Sequence, residues 1–408
     1  MRFLSPQRGK ILRISKANGS RVFGADGKEY IDLTGGWQVM LLGYDFEPLK
    51  QATIAQMDDL DSALNGIADV QVSLAKAICE LCSHFMSDPF VSFTNSGSEC
   101  AEIVAKKARI ATGRHWVASC SGAYHGGLTA GLSLTFDGFS VSSRGYDLPA
   151  SLALPYPYHK GHEPRTCEAY TNAVDHVLST QVAPSEIAAL FIEPVQAHGG
   201  VRIPCQHCVS YLEDICRDNG IILVADEVVT GLGRTGRMFG VEHFDISPTI
   251  FYLGKSIGGG IPLGAIVSDG EDLSQVEGGT TTCSGNLLAC ARGVAILEHV
   301  KRQELPARAR NLGGMVLKKM ECWSKDFDFI TEARGVGLLL GLEFDEDRAS
   351  LAADAMNRCF KEGLLLSLNG IRSNVIKLTP PLNIKESDLK QGLDIMADVL
   401  KRLDQSHQ

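Results

Sequence analysis

The chain predicts an α/β fold: a mostly parallel sheet flanked by helices in a large domain, with a smaller α+β domain built from both ends of the sequence. Three observations carry this. Five short segments are continuously apolar rather than alternating, the pattern of strands buried on both faces. Amphipathic helical stretches separate them. The chain is also long and apolar enough, at 408 residues and 44% hydrophobic content, to bury a large core and fill two domains.

Taken in order, RVFGADGKEYIDL reads as a hairpin turning at Asp26-Gly27. VSLAKAICELCSHF has helical spacing. Phe90–Phe93 is the first buried strand, and Glu99–Thr112 follows as a helix with a stripe at Ala101, Val104, Ala105, Ala108 and Ala111. Gly113 is its C-terminal stop. Trp116–Cys120 is the second strand. Residues 137–165 have little periodicity and are expected to form a loop at the mouth of the site. Ala188–Ile192, Ile221–Ala225 and Phe251–Leu253 complete the strand set, with the helical stretch CQHCVSYLEDICRDNG between the first two of these. From Asn286 to about Val300 an apolar helix leads toward the C-terminal part, which includes Arg334–Glu343 and Lys377–Leu382. The expected division is 1–45 as the N-terminal part of the small domain, 46–290 as the large domain and 291–408 as the C-terminal part of the small domain.

A net charge of −9 leaves no basic stripe to replace phosphate counterions, which argues against a nucleic-acid partner. MRFLSPQRGKILRIS lacks the apolar core of a signal peptide, and no apolar run approaches a membrane span, so a soluble cytoplasmic protein is expected. The 12 cysteines then read as reduced thiols. Cys79/Cys82 and Cys205/Cys208 form two Cys-x-x-Cys pairs. Each lies at helical spacing, which favours packed thiols over metal ligands unless the two pairs meet in space; no metal is expected.

In parallel sheets, ligands bind beyond the carboxyl ends of the strands. Asn95 to Ser98, Tyr124-His125, Glu193 to Gln196, Asp226 and Lys255 all follow apolar runs and should converge on one crevice. A lysine amine can hold an aldehyde cofactor as a Schiff base, while an aspartate keeps the cofactor's ring nitrogen protonated. Lys255, in Gly-Lys-Ser-Ile-Gly-Gly-Gly, and Asp226, in Asp-Glu-Val, thus point to a pyridoxal-phosphate (PLP) site.

Phe93-Thr94-Asn95-Ser96-Gly97-Ser98-Glu99, Tyr124-His125-Gly126, Glu193-Pro194-Val195-Gln196, Asp226-Glu227-Val228, Gly231-Leu232-Gly233-Arg234-Thr235-Gly236 and Gly254-Lys255 occur in that order. With this series the sequence resembles the class III aminotransferases of PLP fold type I, from about residue 20 to about residue 395. The resemblance implies a seven-stranded sheet, with Leu263–Val267 as an antiparallel member. It implies that Lys255 carries PLP as an aldimine and moves the substrate proton, and that Asp226 meets the ring nitrogen. Ser96, Gly97 and Ser98 would hold the phosphate at a helix N-terminus, where free amides and the helix dipole favour an anion. Tyr124 and Val228 would face the two sides of the ring, Gln196 its phenolic oxygen, with His125 and Glu193 orienting their neighbours. Thr282 matches a threonine that reaches the phosphate from the neighbouring subunit, which implies a homodimer with shared sites.

Two departures bear on substrate. Members acting on α-amino acids carry an arginine where this chain has Lys377, and several carry a glutamate where it has His198. Lysine supplies a point charge, not a planar fork. Trp37 and Ser284-Gly285-Asn286 lean toward the glutamate-1-semialdehyde aminomutase branch, although Tyr44 replaces a histidine usual there. Trp37, His198 and Lys377 are the expected substrate contacts. The expected activity is transfer of an amino group from an amine or amino-acid donor to an oxo acceptor, through a pyridoxamine phosphate form. An aminomutase or an epimerase is the alternative, and a non-catalytic protein on the same fold a more distant one.

Overall fold

The computed structural model describes residues 12–63, 66–137, 150–158, 164–270 and 281–407. Near the N-terminus β1 (Ile14–Asn18), β2 (Arg21–Gly24) and β3 (Glu29–Asp32) form an antiparallel meander, with Gly27 in the left-handed region at the expected turn. Next, α1 (Gly35–Gln38) is a single left-handed turn: φ is +57° at Gly35 and Gly36, +60° at Trp37 and +66° at Gln38. Asp32 organises it, its carboxylate accepting hydrogen bonds from the amides of Thr34 (2.7 Å) and Gly36 (2.8 Å) and from the Tyr44 hydroxyl (3.0 Å). Tyr44, the residue that departs from the aminomutase pattern, is therefore a brace for this turn.

After α2 (Glu47–Asp59) and α3 (Asp69–Cys82), the chain alternates strand and helix. The succession is β4 (Pro89–Thr94), α4 (Gly97–Thr112), β5 (Trp116–Cys120), α5 (Thr129–Ser133), β6 (Ser151–Leu154), α6 (Pro164–Thr180), β7 (Ile187–Ile192), α7 (Gln206–Asn219), β8 (Ile222–Asp226), β9 (Ile250–Leu253) and β10 (Gly264–Asp269). These strands make one seven-stranded sheet in the order β4-β10-β9-β8-β7-β5-β6. Only β10 runs antiparallel, to both β4 and β9, as expected for Leu263–Val267. Continuous apolarity translates directly into two-sided burial: every residue of β7, β8 and β9 is buried.

Residues 137–165 require a correction. Ser151–Leu154 is not loop but the edge strand β6, paired in parallel with β5 from Val117↔Ser151 to Cys120↔Leu154, and α6 already begins at Pro164. Residues 138–149 and 159–163 lie outside the described residues.

The remaining elements are α8 (Leu287–Arg302), α9 (Leu305–Asp326), β11 (Ile330–Val336), β12 (Leu339–Phe344), α10 (Ser350–Lys361), β13 (Leu364–Leu365), β14 (Ser367–Asn369), β15 (Val375–Leu378) and α11 (Glu386–His407). One four-stranded sheet, β11-β12-β15-β14, is wholly C-terminal; the other, β1-β2-β3-β13, joins the N-terminal meander to a C-terminal strand. Arg234 of the Gly231–Gly236 motif is a buried clamp rather than a site residue: its Nη1 donates to the carbonyls of Leu338 (3.1 Å) and Pro380 (2.6 Å). No helix among the described residues is long and apolar enough to cross a membrane.

Candidate active site

The carboxyl ends of β4, β7, β8 and β9, with the loop after β5, open onto one cavity of about 410 Å³. Ser96, Gly97, Ser98, Tyr124, His125, Glu193, His198, Asp226, Val228 and Lys255 all line it, together with Val39 and Gly260 to Leu263. Most of the expected constellation is thus brought together by strand order.

Asp226 ends β8 and is held from three sides. Its Oδ2 lies 2.8 Å from His125 Nδ1 and accepts the Tyr252 hydroxyl at 2.6 Å, while Oδ1 accepts the Val228 amide at 3.0 Å. The parallel register of β8 and β9 places Tyr252 directly beside Asp226. Tyr252 was not singled out from sequence, because a tyrosine in the run Phe251–Leu253 looks like one more core aromatic. The available signal is that a buried tyrosine hydroxyl must find a partner.

Lys255 follows β9 with φ +42°, an unusual backbone for a lysine and of a kind that collects at functional sites. Burial lowers the pKa of its amine, while Asp226 and then Glu193 pull the other way. Gly254 permits this loop to approach α4: a Cβ there would lie 3.0 Å from the Gly97 amide nitrogen. Above, Ser256 Oγ donates to the Gln38 carbonyl at 2.6 Å, and Gln38 Nε2 donates to Thr379 Oγ1 at 3.1 Å, so the left-handed turn roofs the lysine loop.

The N-terminus of α4 opens onto the cavity with Ser96 as its cap. Ser96 is extended and its Oγ accepts the Glu99 amide at 3.2 Å. The amides of Gly97 and Ser98, the first two after the cap residue, have no acceptor within the helix. A Cβ on Gly97 would sit 2.6 Å from Val228 Cγ2, and one on Gly126 2.5 Å from Ser98 Oγ. Both glycines therefore keep this helix end open.

Glu193 is buried and accepts the amides of Tyr124 (3.1 Å) and Ala197 (2.9 Å). Burial pushes its pKa up to about 7, with His125 opposing. Tyr124 stacks on His198, ring centroids 4.4 Å apart and planes at 21°. Burial, then the charges of Lys377 and Lys255, hold the His198 imidazole well below its ordinary pKa, so it is neutral at pH 7. Lys377 is 2% exposed on β15. Its ammonium has no hydrogen bond or ion pair with any described residue, and burial followed by repulsion from Lys255 lowers its pKa to about 7 against the pull of Glu193.

Four expected residues stand outside the cavity lining, Lys377 among them. Gln196 is fully buried behind it, with Nε2 donating to the Ser121 carbonyl at 2.9 Å and Oε1 left without a partner. Trp37 is 55% exposed. Thr282 is exposed, and its carbonyl accepts from Asn95 Nδ2 at 3.0 Å; its neighbour Thr281 donates to Glu99 at 2.9 Å, so this turn docks on the α4 N-terminus of its own chain. Two loop arginines that could reach a donor carboxylate, Arg144 and the side chain of Arg165, lie outside the described residues.

The residues present fit PLP: an amine, a braced carboxylate on the same wall, free helix amides for a phosphate, and an orphaned buried acceptor, His125 Nε2. Comparison with known proteins agrees. Residues 4–400 match the family described as Aminotransferase class-III. The 2-aminoadipate transaminase of Pseudomonas putida is 33% identical over 404 residues, covering 96% of each chain. A leucine/methionine racemase of Thermococcus litoralis is 29% identical, covering 93% of this chain and 88% of its own. The structure of taurine:2-oxoglutarate aminotransferase from Bifidobacterium kashiwanohense, in complex with PLP and glutamate, superposes with a TM-score of 0.91 at 26% identity, covering 99% of this chain and 96% of that one. A lysine and an aspartate at neighbouring strand ends, a helix N-terminus on the same cavity and a family match across nearly the whole length leave one conclusion: the chain belongs to the class III aminotransferases and is a transaminase that works with pyridoxal 5′-phosphate.

Proposed function

We propose that this transaminase uses, in at least one half-reaction, a substrate that is not gripped by an arginine fork at its α-carboxylate: an amine, an aminosugar, a β-amino acid or a semialdehyde. The observation that carries this is Lys377, buried and unpaired among the described residues where the family's α-amino-acid enzymes place the arginine. A guanidinium makes two parallel charged hydrogen bonds to a carboxylate; an ammonium of depressed pKa does not replace them. His198 supports the same reading, since a neutral imidazole stacked on Tyr124 offers no gating carboxylate. The taurine enzyme shows that this fold serves an amine without an α-carboxylate.

Bound PLP supplies an aldehyde that takes up the amine and a ring that withdraws electrons. The chain's own residues do the rest. The amides of Gly97 and Ser98 would hold the phosphate, Asp226 would meet the ring nitrogen with its orientation fixed by His125 and Tyr252, and Tyr124 and Val228 would bound the ring. The Lys255 amine, its pKa lowered by burial, is neutral part of the time and carries the proton to and from the substrate α-carbon.

The active unit is a homodimer in which Thr282 completes the partner's phosphate site. Ile54 and Met57 on α2, Leu60 just after it, Ile67 and Trp37 are large apolar side chains left exposed, which an interface would cover. A racemase or epimerase cycle is the second reading, favoured by the Thermococcus relative. The features that lean toward an aminomutase, Trp37 and Ser284-Gly285-Asn286, stand outside the cavity lining.

A donor panel tests the main reading. Amines and β-amino acids should give higher kcat/KM than ornithine or acetylornithine, which carry an α-carboxylate. High kcat/KM for those two, unchanged by Lys377→Arg, would show that the lysine carries no specificity.

A further inference from the structure

The two Cys-x-x-Cys pairs do not meet, but one of them meets a third cysteine. Cys167 of α6 has its Sγ 3.4 Å from that of Cys205, and the sulfurs of Cys167, Cys205 and Cys208 all lie within 4.8 Å of one another. It is the one group of potential metal-ligating side chains so arranged among the described residues. The reading of Cys205 and Cys208 as merely packed thiols is therefore incomplete.

Local structure explains the cluster. Cys205 is the extended N-cap of α7 and its amide donates to the Pro157 carbonyl at 2.7 Å, which fixes the helix start. Cys208 lies three residues on, on the same helical face. Packing of α6 on α7 brings Cys167 over both.

Distance selects the chemistry. A disulfide requires about 2.05 Å between sulfurs. Tetrahedral zinc with bonds of about 2.3 Å sets its sulfur ligands about 3.8 Å apart. The observed 3.4 Å and the 4.8 Å limit bracket the second value. Three sulfurs also exceed what a disulfide uses. Cys-x-x-Cys closed by a ligand from another element is the spacing of zinc sites, and thiolates select soft cations over magnesium or calcium.

We propose that Cys167, Cys205 and Cys208 bind one soft divalent cation, zinc, with the fourth position open to water. On binding, each thiol gives its proton to solvent and its sulfur lone pair to the metal; nothing is oxidised or reduced. The metal ties α6 to the start of α7. From there the chain runs back through Pro204 to the Gln196–Arg202 bridge and His198 at the cavity, so the site steadies that wall.

The test uses the reduced holoenzyme, stripped by a chelator and titrated with Co²⁺, read as a difference spectrum against the metal-free holoenzyme. One equivalent should give an intense thiolate-to-cobalt charge-transfer band that Zn²⁺ abolishes. Cys167→Ser, Cys205→Ser and Cys208→Ser should each weaken binding by about 100-fold or more, while Cys79→Ser does not. If those variants misfold, alkylation of the unaltered protein decides: Zn²⁺ should shield Cys167 and Cys205 while exposed Cys322 still reacts. Absence of the band, its persistence in a Cys205→Ser/Cys208→Ser double variant, no shielding, or a Cys167–Cys205 disulfide in protein that binds no cobalt would each overturn the site.

Discussion

At the scale of single residues, Asp226 is the point where fold and chemistry meet. Its carboxylate is fixed by His125, Tyr252 and the Val228 amide before any ligand arrives, so no reorientation is required when a cationic ring nitrogen faces it. Asp226→Asn should retain PLP yet lose turnover by about 3 kcal/mol or more in the barrier, measured as kcat. Near-normal kcat would mean that another group meets the ring nitrogen. Borohydride reduction of the holoenzyme and peptide mapping should place the pyridoxyl group on Lys255; recovery on any other lysine removes the assignment. Lys377 yields a pH signature. Its pKa is depressed to about 7, so its attraction for an anionic substrate is full below that value and fades as pH rises through it. KM for a carboxylate-bearing substrate should therefore climb above pH 7. Glu193 also titrates near 7, which makes Lys377→Arg the comparator: arginine stays charged, and the rise should flatten. Lys255 and Asp226 were legible in the sequence because each ends an apolar run where charge has no structural excuse. Tyr252 was not, because its partner is its neighbour across two strands, and register is invisible in one strand's composition.

At the scale of elements, α4 shows how much function rests on a helix end. The Ser96 cap, the open amides and Gly97 form one device, and the contact that a Cβ on Gly97 would make with Val228 Cγ2 at 2.6 Å narrows it. Gly97→Ala should speed PLP release by about tenfold, followed by loss of cofactor absorbance on dilution, with little change in thermal stability. A release rate equal to the parent's would argue against the cradle. The stripe Ala101–Ala111 and the stop at Gly113 announced this helix plainly. Strand β6 was hidden for the opposite reason: Ser-Leu-Ala-Leu is four residues long, sits at the sheet edge and buries only alternate side chains. The left-handed turn at Gly35–Gln38 was equally hidden. Tryptophan and glutamine resist positive φ by about 1 kcal/mol each, and contacts with residues distant in sequence, Ser256 and Thr379, help hold them there along with Asp32.

At the scale of the whole molecule, the apolar residues left outside on α2 and at Ile67 and Trp37 predict association. Light scattering should find a dimer at working concentration, and Thr282→Ala should weaken PLP retention without moving the labelled lysine. An active monomer would defeat both expectations. Five of the seven strands in the large sheet were readable as apolar runs, β10 followed from the family resemblance and β6 was missed; the pairing of β3 with β13 was not readable, since nothing local in either strand names the other. That pairing has a consequence for biogenesis. The roof over Lys255 is closed by Gln38 and Thr379, which are 341 residues apart. On a ribosome, the sheet from β4 to β10 can form as it emerges, but the roof must wait for the end of the chain. Lys255 is therefore made before the residues that cover it. A nascent or truncated chain would expose its cofactor site and its N-terminal strands together, and full-length synthesis becomes the step that switches the enzyme from open scaffold to closed catalyst.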